Sequence, residues 1–430
     1  MQAVHKVKCS NNRTCNVRRS LAAGALVVAL SAGSASAQWP QWGGPNRDFH
    51  SPATGLADEW PEGGPRKIWE RALGAGYSSI VADGGRLFTL YRSGDDEVVV
   101  ALDAETGATE WEHRYRMPSG SEPPNSTPTI EGNRLYTLGV SGVLCALDKN
   151  SGELAWSHDL VEGYKAKRPE YGFSASPLAH GGSLILPVGG TGTGVAAFAL
   201  ADGKLLWRKH DFEGVYASPL LIEVEGEAQV AVLAADRVVG LSPATGELLW
   251  SEPIENQGGQ NIATPVWCAD GLLCVTSGSA GSVGLRFSKV DGKTKVERAW
   301  VNGQTQIAQT TVVRVGDYFY GCTGYDPFFV TAIHAKTGEV AWREPGFSLA
   351  NLVSADGKIL LLDVEGVLAL ATAGPEAWKV KSRANLLAAQ AFTVPTLADK
   401  SLYLRDLKNI MAIDLGKPSQ QGPDATRRAR

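Results

Sequence analysis

Val98-Val99-Val100-Ala101-Leu102-Asp103-Ala104-Glu105-Thr106-Gly107-Ala108-Thr109-Glu110-Trp111 reads as a β-hairpin, and the rest of the chain is organised around it. Residues 98–102 form an apolar strand, 103–107 the turn, and 108–111 open the return strand. Asp103 and Thr106 offer side-chain oxygens to free backbone N–H groups, and Gly107 supplies the positive φ that a tight turn needs. Trp111 presents a large apolar plate with one N–H, suited to packing between neighbouring sheets. The pattern returns with Asp148, Gly152 and Trp156, and again in hairpins ending at Trp207, Trp250 (after Gly246), Trp300, Trp342 (after Gly338) and Trp378. Counted from Trp69, the Trp spacings are 42, 45, 51, 43, 50, 42 and 36 residues. A hairpin at this period is the signature of four-stranded propeller blades.

Each unit opens near a Ser/Thr-Pro or its equivalent: Ser79, Thr127, Ser176, Ser218, Thr264, Thr311, Asn351 and Val394. Eight units begin, but the last, 393–416, ends after its third strand, while the strand carrying Trp69 has no hairpin of its own. The two ends of the chain are therefore expected to share one blade, which closes the ring and leaves no open sheet edge. The expected fold is all-β: an eight-bladed β-propeller of four-stranded antiparallel blades over 66–416. A Trp/Pro/Gly-rich extended segment, 38–65, precedes it, pinned to the body by Trp39 and Trp42, and a disordered tail, 417–430, follows. Ser242 and His334 replace the turn Asp in two units, substitutions a turn tolerates.

With 43% hydrophobic and 20% charged residues, 49 Gly and 22 Pro in 430 residues, the composition suits many short strands and tight turns. Residues 1–37 hold five Lys/Arg and no acid, leaving 36 basic against 45 acidic side chains beyond them, a net of −9. An acidic body argues against a nucleic-acid partner. Basic residues through Arg19, the apolar run 21–30 and Ala35-Ser36-Ala37 read as an export signal. Arg18-Arg19 leaves both general and twin-arginine export open, and no Cys follows the apolar run for lipid attachment. The expected mature protein is an exported, periplasmic or secreted monomer without a transmembrane anchor. Cys145, Cys268, Cys274 and Cys322 read as small buried hydrophobes, the middle two on opposite faces of a hairpin.

The Asp-x-x-Thr-Gly-x-x-x-Trp unit resembles the PQQ-like propeller repeat, whose family includes pyrroloquinoline quinone dehydrogenases and BamB-like proteins of outer-membrane assembly. The opening Trp39-Pro40-Gln41-Trp42-Gly43-Gly44-Pro45-Asn46-Arg47 is similar to one seen in secreted members, with Gly43 in place of the usual Arg. The resemblance implies the fold for nearly the whole mature chain. For function it implies either a scaffold or a dehydrogenase that holds its quinone at the axis with calcium, a catalytic Asp and an adjacent Cys pair. No Cys-Cys pair is present, and about 49 residues per blade leave little chain for a cap over a substrate.

Two residues before each Ser/Thr-Pro position the innermost strand should start, close to the axis. These positions read Tyr77, Asn125, Ser174, Tyr216, Ile262, Gln309, Leu349 and Phe392, a ring without a carboxylate. A hard divalent cation needs several oxygen ligands, usually including Asp or Glu. No His pair stands at metal-ligand spacing, and Gly189 to Gly194 joins two strands and opens no helix. Asp95-Asp96-Glu97 reads as a solvated hairpin tip. Two long inter-blade loops, 157–175 with Arg168 and Tyr171 and 251–263 with Gln260 and Asn261, are the candidate contact sites. The expectation is a scaffold that binds a protein, peptide or glycan of the envelope, with no cofactor; the alternative is a pyrroloquinoline quinone- and calcium-dependent dehydrogenase.

Overall fold

The computed structural model describes residues 38–213, 216–254, 256, 261–310 and 312–417. The export signal, residues 418–430 of the expected tail, and Gln260 lie outside them. The described residues form eight four-stranded antiparallel sheets, each running in chain order from an inner to an outer strand. The exception is the last blade. There Arg66–Ala72 pairs with Asn409–Asp414, so the first strand completes the sheet begun by Thr396–Ala398 and Ser401–Arg405. No helix among the described residues is long and apolar enough to cross a membrane.

The burial pattern shows why these segments are strands. The second and third strands of the first blade, Arg86–Ser93 and Asp96–Asp103, are buried in unbroken runs, 87–90 and 97–102, because a neighbouring blade covers each face. The outer strand Thr109–Arg116 alternates between exposed and half-buried residues, as the solvated edge of a blade should.

The repeated hairpin does more than turn the chain. Trp111 Nε1–H donates to Lys149 O of the next blade (3.1 Å), Trp207 to Pro243 O (3.0 Å), Trp300 to Ala335 O (2.8 Å) and Trp342 to Gly374 O (2.9 Å). Trp69 makes the same bond to Ala104 O (2.9 Å) and Trp156 to Leu200 O (3.2 Å). All of these rings except that of Trp342 also lie against the turn glycine of the next blade: a Cβ on Gly152 would stand 2.5 Å from the Trp111 ring, and one on Gly338 2.5 Å from Trp300. The Trp-Gly spacing in the sequence is therefore an inter-blade lock. Trp250 departs from it, donating to Gln229 Oε1 (2.8 Å), and Trp378 stands just ahead of its outer strand and stacks on Trp342 at 6.3 Å.

A β-bulge precedes the Trp position in these blades, and it sets each Trp opposite a small residue: Trp111 faces Ala101, Trp156 Ala146, Trp250 Gly240, Trp300 Gly284 and Trp69 Ala412. In the turns, Asp103 Oδ1 accepts from the N–H groups of Glu105 (3.1 Å) and Thr106 (2.8 Å), and Asp148 repeats this with Asn150 and Ser151.

Three expectations are corrected. Cys268 pairs with Leu272 and Cys274 with Val266, so the two thiols share one face, because a three-residue loop, 269–271, joins the strands. Both are free and buried. Only Asp95 and Asp96 are at the hairpin tip, against Arg116; Glu97 lies inside the strand with no exposure. The 157–175 stretch is not all loop: Asp159 caps a single helical turn, Leu160–Tyr164.

Candidate functional site

The inner strands begin at a collar of hydroxyls. Ser79 N–H donates to Thr127 Oγ1 (3.1 Å), Thr127 N–H to Ser176 Oγ (2.9 Å), Ser176 N–H to Ser218 Oγ (2.9 Å) and Ser218 N–H to Thr264 Oγ1 (3.3 Å). Each Ser or Thr thus ties its own blade to the one before, which explains why this position repeats. After Thr127, Ser176, Ser218 and Thr264 a Pro stands just ahead of the inner strand, where no N–H is required.

The N-terminal segment closes one end of the axis. Trp39 is buried and pairs with Ala82, the Ile130 N–H donates to Pro40 O (2.8 Å), and the Ser51 N–H donates to Ser354 O of the seventh blade (2.8 Å). Gly43 and Gly44 both take positive φ and fold the chain so that Gly44 lies under the Trp39 ring. From this turn Trp42 reaches the collar, its Nε1–H donating to Thr264 Oγ1 (3.0 Å) and its ring edge-on to buried Phe49. Arg47 is buried, and its guanidinium donates to Pro177 O (2.7 Å), Pro219 O (3.1 Å) and Gln41 Oε1 (2.9 Å). Burial brings its pKa down to about 9.

Above Trp42 the axis opens as a blind funnel. Its lower chamber, about 160 Å³, is lined by Trp42, the collar residues Ser176, Ser218 and Thr264, and by Ser174 and Tyr216. Its mouth, about 410 Å³, is lined by Tyr77, Tyr171, Phe392, Leu349, Asn351 and Glu122 among others. Asn125, Ile262 and Gln309 border both parts, so all eight positions read from the sequence as an axial ring surround this one space. Tyr77 packs edge-on against Phe392 with centroids 5.6 Å apart. Burial and the nearby Glu122 hold the Tyr77 phenol above its ordinary pKa.

The lining is not carboxylate-free, as the ring alone suggested: Glu122 enters from the loop ahead of Asn125. It stands outside the repeat, so register could not find it. Trp42 was legible only as an anchor. Among the candidate loop contacts, Tyr171 stands at the mouth, and Arg168 lies beside it in sequence with its guanidinium on Ser121 Oγ (2.8 Å). Asn261 is not a surface contact. It is 1% exposed, and its Nδ2 donates to Ala234 O (2.8 Å) and Ala235 O (3.1 Å), which makes it a brace that holds the inter-blade loop to the blade before it. Among the described residues no group of three His, Cys, Asp or Glu converges at metal-binding distance. Among the described residues the lining carries a single carboxylate and no Lys or Arg.

Comparison with known proteins gives two kinds of relative. The family model described as outer membrane protein assembly factor BamB matches residues 23–210 and 95–344. The quinoprotein alcohol dehydrogenase PedH of Pseudomonas putida is 28% identical over 163 residues, 35% of this chain and 26% of that enzyme. BamB of Yersinia pestis is 22% identical over 311 residues, 70% of this chain and 66% of that protein. The chain thus spans about a quarter of the dehydrogenase and just under two thirds of the assembly factor. Among solved structures, BamB from Moraxella catarrhalis superposes with a TM-score of 0.62 at 20% identity, covering 81% of this chain and 99% of that one. A europium-containing methanol dehydrogenase gives 0.51 at 12%, covering 86% and 89%. At these identities the solved structures speak for the fold.

Proposed function

Because the chain belongs to the BamB family of PQQ-like propellers, we propose that it is a binding scaffold of the cell envelope, whose funnel face receives a polypeptide partner. The observation that carries this reading is the funnel: a rigid, blind cavity, open among inter-blade loops, with aromatic and amide side chains at its mouth. Preformed concave sites with apolar walls and a few placed polar groups are where partners and ligands bind. Export, read from residues 1–37, supports the envelope location.

The dehydrogenase alternative asks the same cavity to hold a quinone bearing several carboxylates together with a divalent cation. The lining does not fit that pair. Among the described residues it has no Lys or Arg to meet the quinone's carboxylates, and only Glu122 to ligate a hard cation. No catalytic step is assigned to it.

Site-specific photo-crosslinking in producing cells tests the scaffold. A photoreactive residue at position 171 or 392 should give discrete polypeptide adducts, while one at exposed Glu105, in a turn between outer strands, should not. Equal adducts at all three positions, or none, would refute the reading. Dye-linked alcohol oxidation by chain loaded with pyrroloquinoline quinone and calcium would refute it independently.

A further inference from the structure

We propose that the funnel is a socket for one cationic side chain, arginine or lysine, presented by the partner polypeptide. This rests on the scaffold reading above and adds the chemistry of what enters.

The charge in the lining has one sign. Glu122 stands at the mouth, and among the described residues no Lys or Arg borders either part of the cavity. Arg168, on the same loop as Tyr171, turns its guanidinium to Ser121 Oγ (2.8 Å). Beside this carboxylate lie aromatic faces left open to solvent: Tyr171 is 49% and Phe392 37% exposed, large values for such rings in a folded chain. An aromatic face attracts a cation through its quadrupole, and Arg in particular stacks flat upon it.

The neutral polar groups lean the same way. Asn125 Nδ2 donates to Tyr171 O (3.0 Å) and Asn351 Nδ2 to Phe392 O (2.8 Å). Each bond ties an amide to the backbone of one of the two aromatic residues and uses one of its two N–H donors, and each Oδ1 is an acceptor. The ligand that satisfies a carboxylate, amide oxygens and ring faces together is a donor-rich cation. An anion would meet Glu122 uncompensated, and an aliphatic side chain would strip water from Glu122 and the amide oxygens with nothing in return. A mouth of about 410 Å³ above a chamber of about 160 Å³ admits a side chain, not a folded domain.

Calorimetric titration of the full chain tests this, using blocked pentapeptides Gly-Gly-X-Gly-Gly with X as Arg, Lys, Leu or Glu. The Arg and Lys peptides should bind about ten-fold or more tighter than the Leu and Glu peptides, and more weakly as salt rises. Glu122→Gln and Tyr171→Ala should each weaken Arg-peptide binding about five-fold or more with the unfolding midpoint unchanged. Equal binding of the Leu or Glu peptide, no heat from any peptide at millimolar concentration, or an unaffected Glu122→Gln variant overturns the proposal. Putrescine binding as tightly as the Arg peptide overturns the polypeptide source. The crosslinking experiment separates the two readings: adducts at 171 and 392 whose contact peptides lack Arg and Lys refute the socket and leave the scaffold standing.

Discussion

The inter-blade lock makes a quantitative prediction for one methyl group. Gly152 has φ +73°, and a Cβ there would stand 2.5 Å from the Trp111 ring; Gly84 has φ +57° and open space around the same atom. Placing Ala in the left-handed region costs about 1–2 kcal/mol at either position. At Gly152 the Trp111 ring must also move, a displacement of about 1–3 kcal/mol in a packed site. Its 3.1 Å bond to Lys149 O goes with it, about 1 kcal/mol more. Gly152→Ala should therefore destabilise by about 3–6 kcal/mol, and Gly84→Ala by about 1–2. Urea unfolding of both variants measures the difference. In the Trp111→Ala background the extra loss at Gly152 should vanish, since the ring it strikes is gone. Equal losses for the two glycine variants, or a Gly152 loss that survives removal of Trp111, would show that the turn is conserved in pattern for its backbone angle alone.

Three further outcomes follow from the buried groups. Burial raises the Glu97 carboxyl from its ordinary 4.5 to about 8, opposed by the Val140 N–H it accepts at 3.2 Å. The folded chain then keeps a proton that the unfolded chain has released, so stability falls as pH rises from 4.5 to 8, by roughly 5 kcal/mol over the window at ~1.36 kcal/mol per pH unit. Glu97→Gln should remove that part of the slope in thermal melts, and parallel pH profiles would refute it. Arg405 joins the last blade to the first, donating to Gly74 O (3.0 Å), Thr89 Oγ1 (2.8 Å) and Leu90 O (2.8 Å). Arg405→Met should orphan these acceptors and destabilise by about 3–5 kcal/mol in urea, against under 1 for Arg237→Met, whose partner is its exposed neighbour Asp236. Cys145, Cys268, Cys274 and Cys322 are buried thiols, so a thiol reagent should modify them only after denaturant is added, and modification in the native state would contradict the packing.

The fold was legible because each repeat residue has a local job that survives in the sequence: Asp for the turn N–H groups, Gly for positive φ, Trp for the neighbouring sheet. The second jobs were not legible, since they cross between blades. Nothing local shows that Gly152 lies under Trp111, or that Ala101 and Gly240 are small because a bulge sets a Trp opposite each. Cys268 and Cys274 show the same limit. One residue more in the turn moves a thiol to the other face, and the composition 269–271 suits either length.

The axial ring was legible for the same reason as the fold: the repeat fixes where every inner strand begins, and counting back two residues from the collar hydroxyl stays in register around the ring. Glu122 and Trp42 belong to no repeat, and their places depend on the loop 117–126 and the N-terminal turn at Gly43 and Gly44. These two residues change what the ring means. Trp42, held on Thr264 beneath the chamber, makes the funnel blind at the end that the N-terminal segment covers. Anything that enters must come past the inter-blade loops, and Tyr171 stands at that entrance. The funnel and the Tyr171 loop, two separate candidates in the sequence, are therefore one site. A partner that fills the chamber has to touch the loop as well, so variants in the two should weaken binding in a coupled and not an additive way.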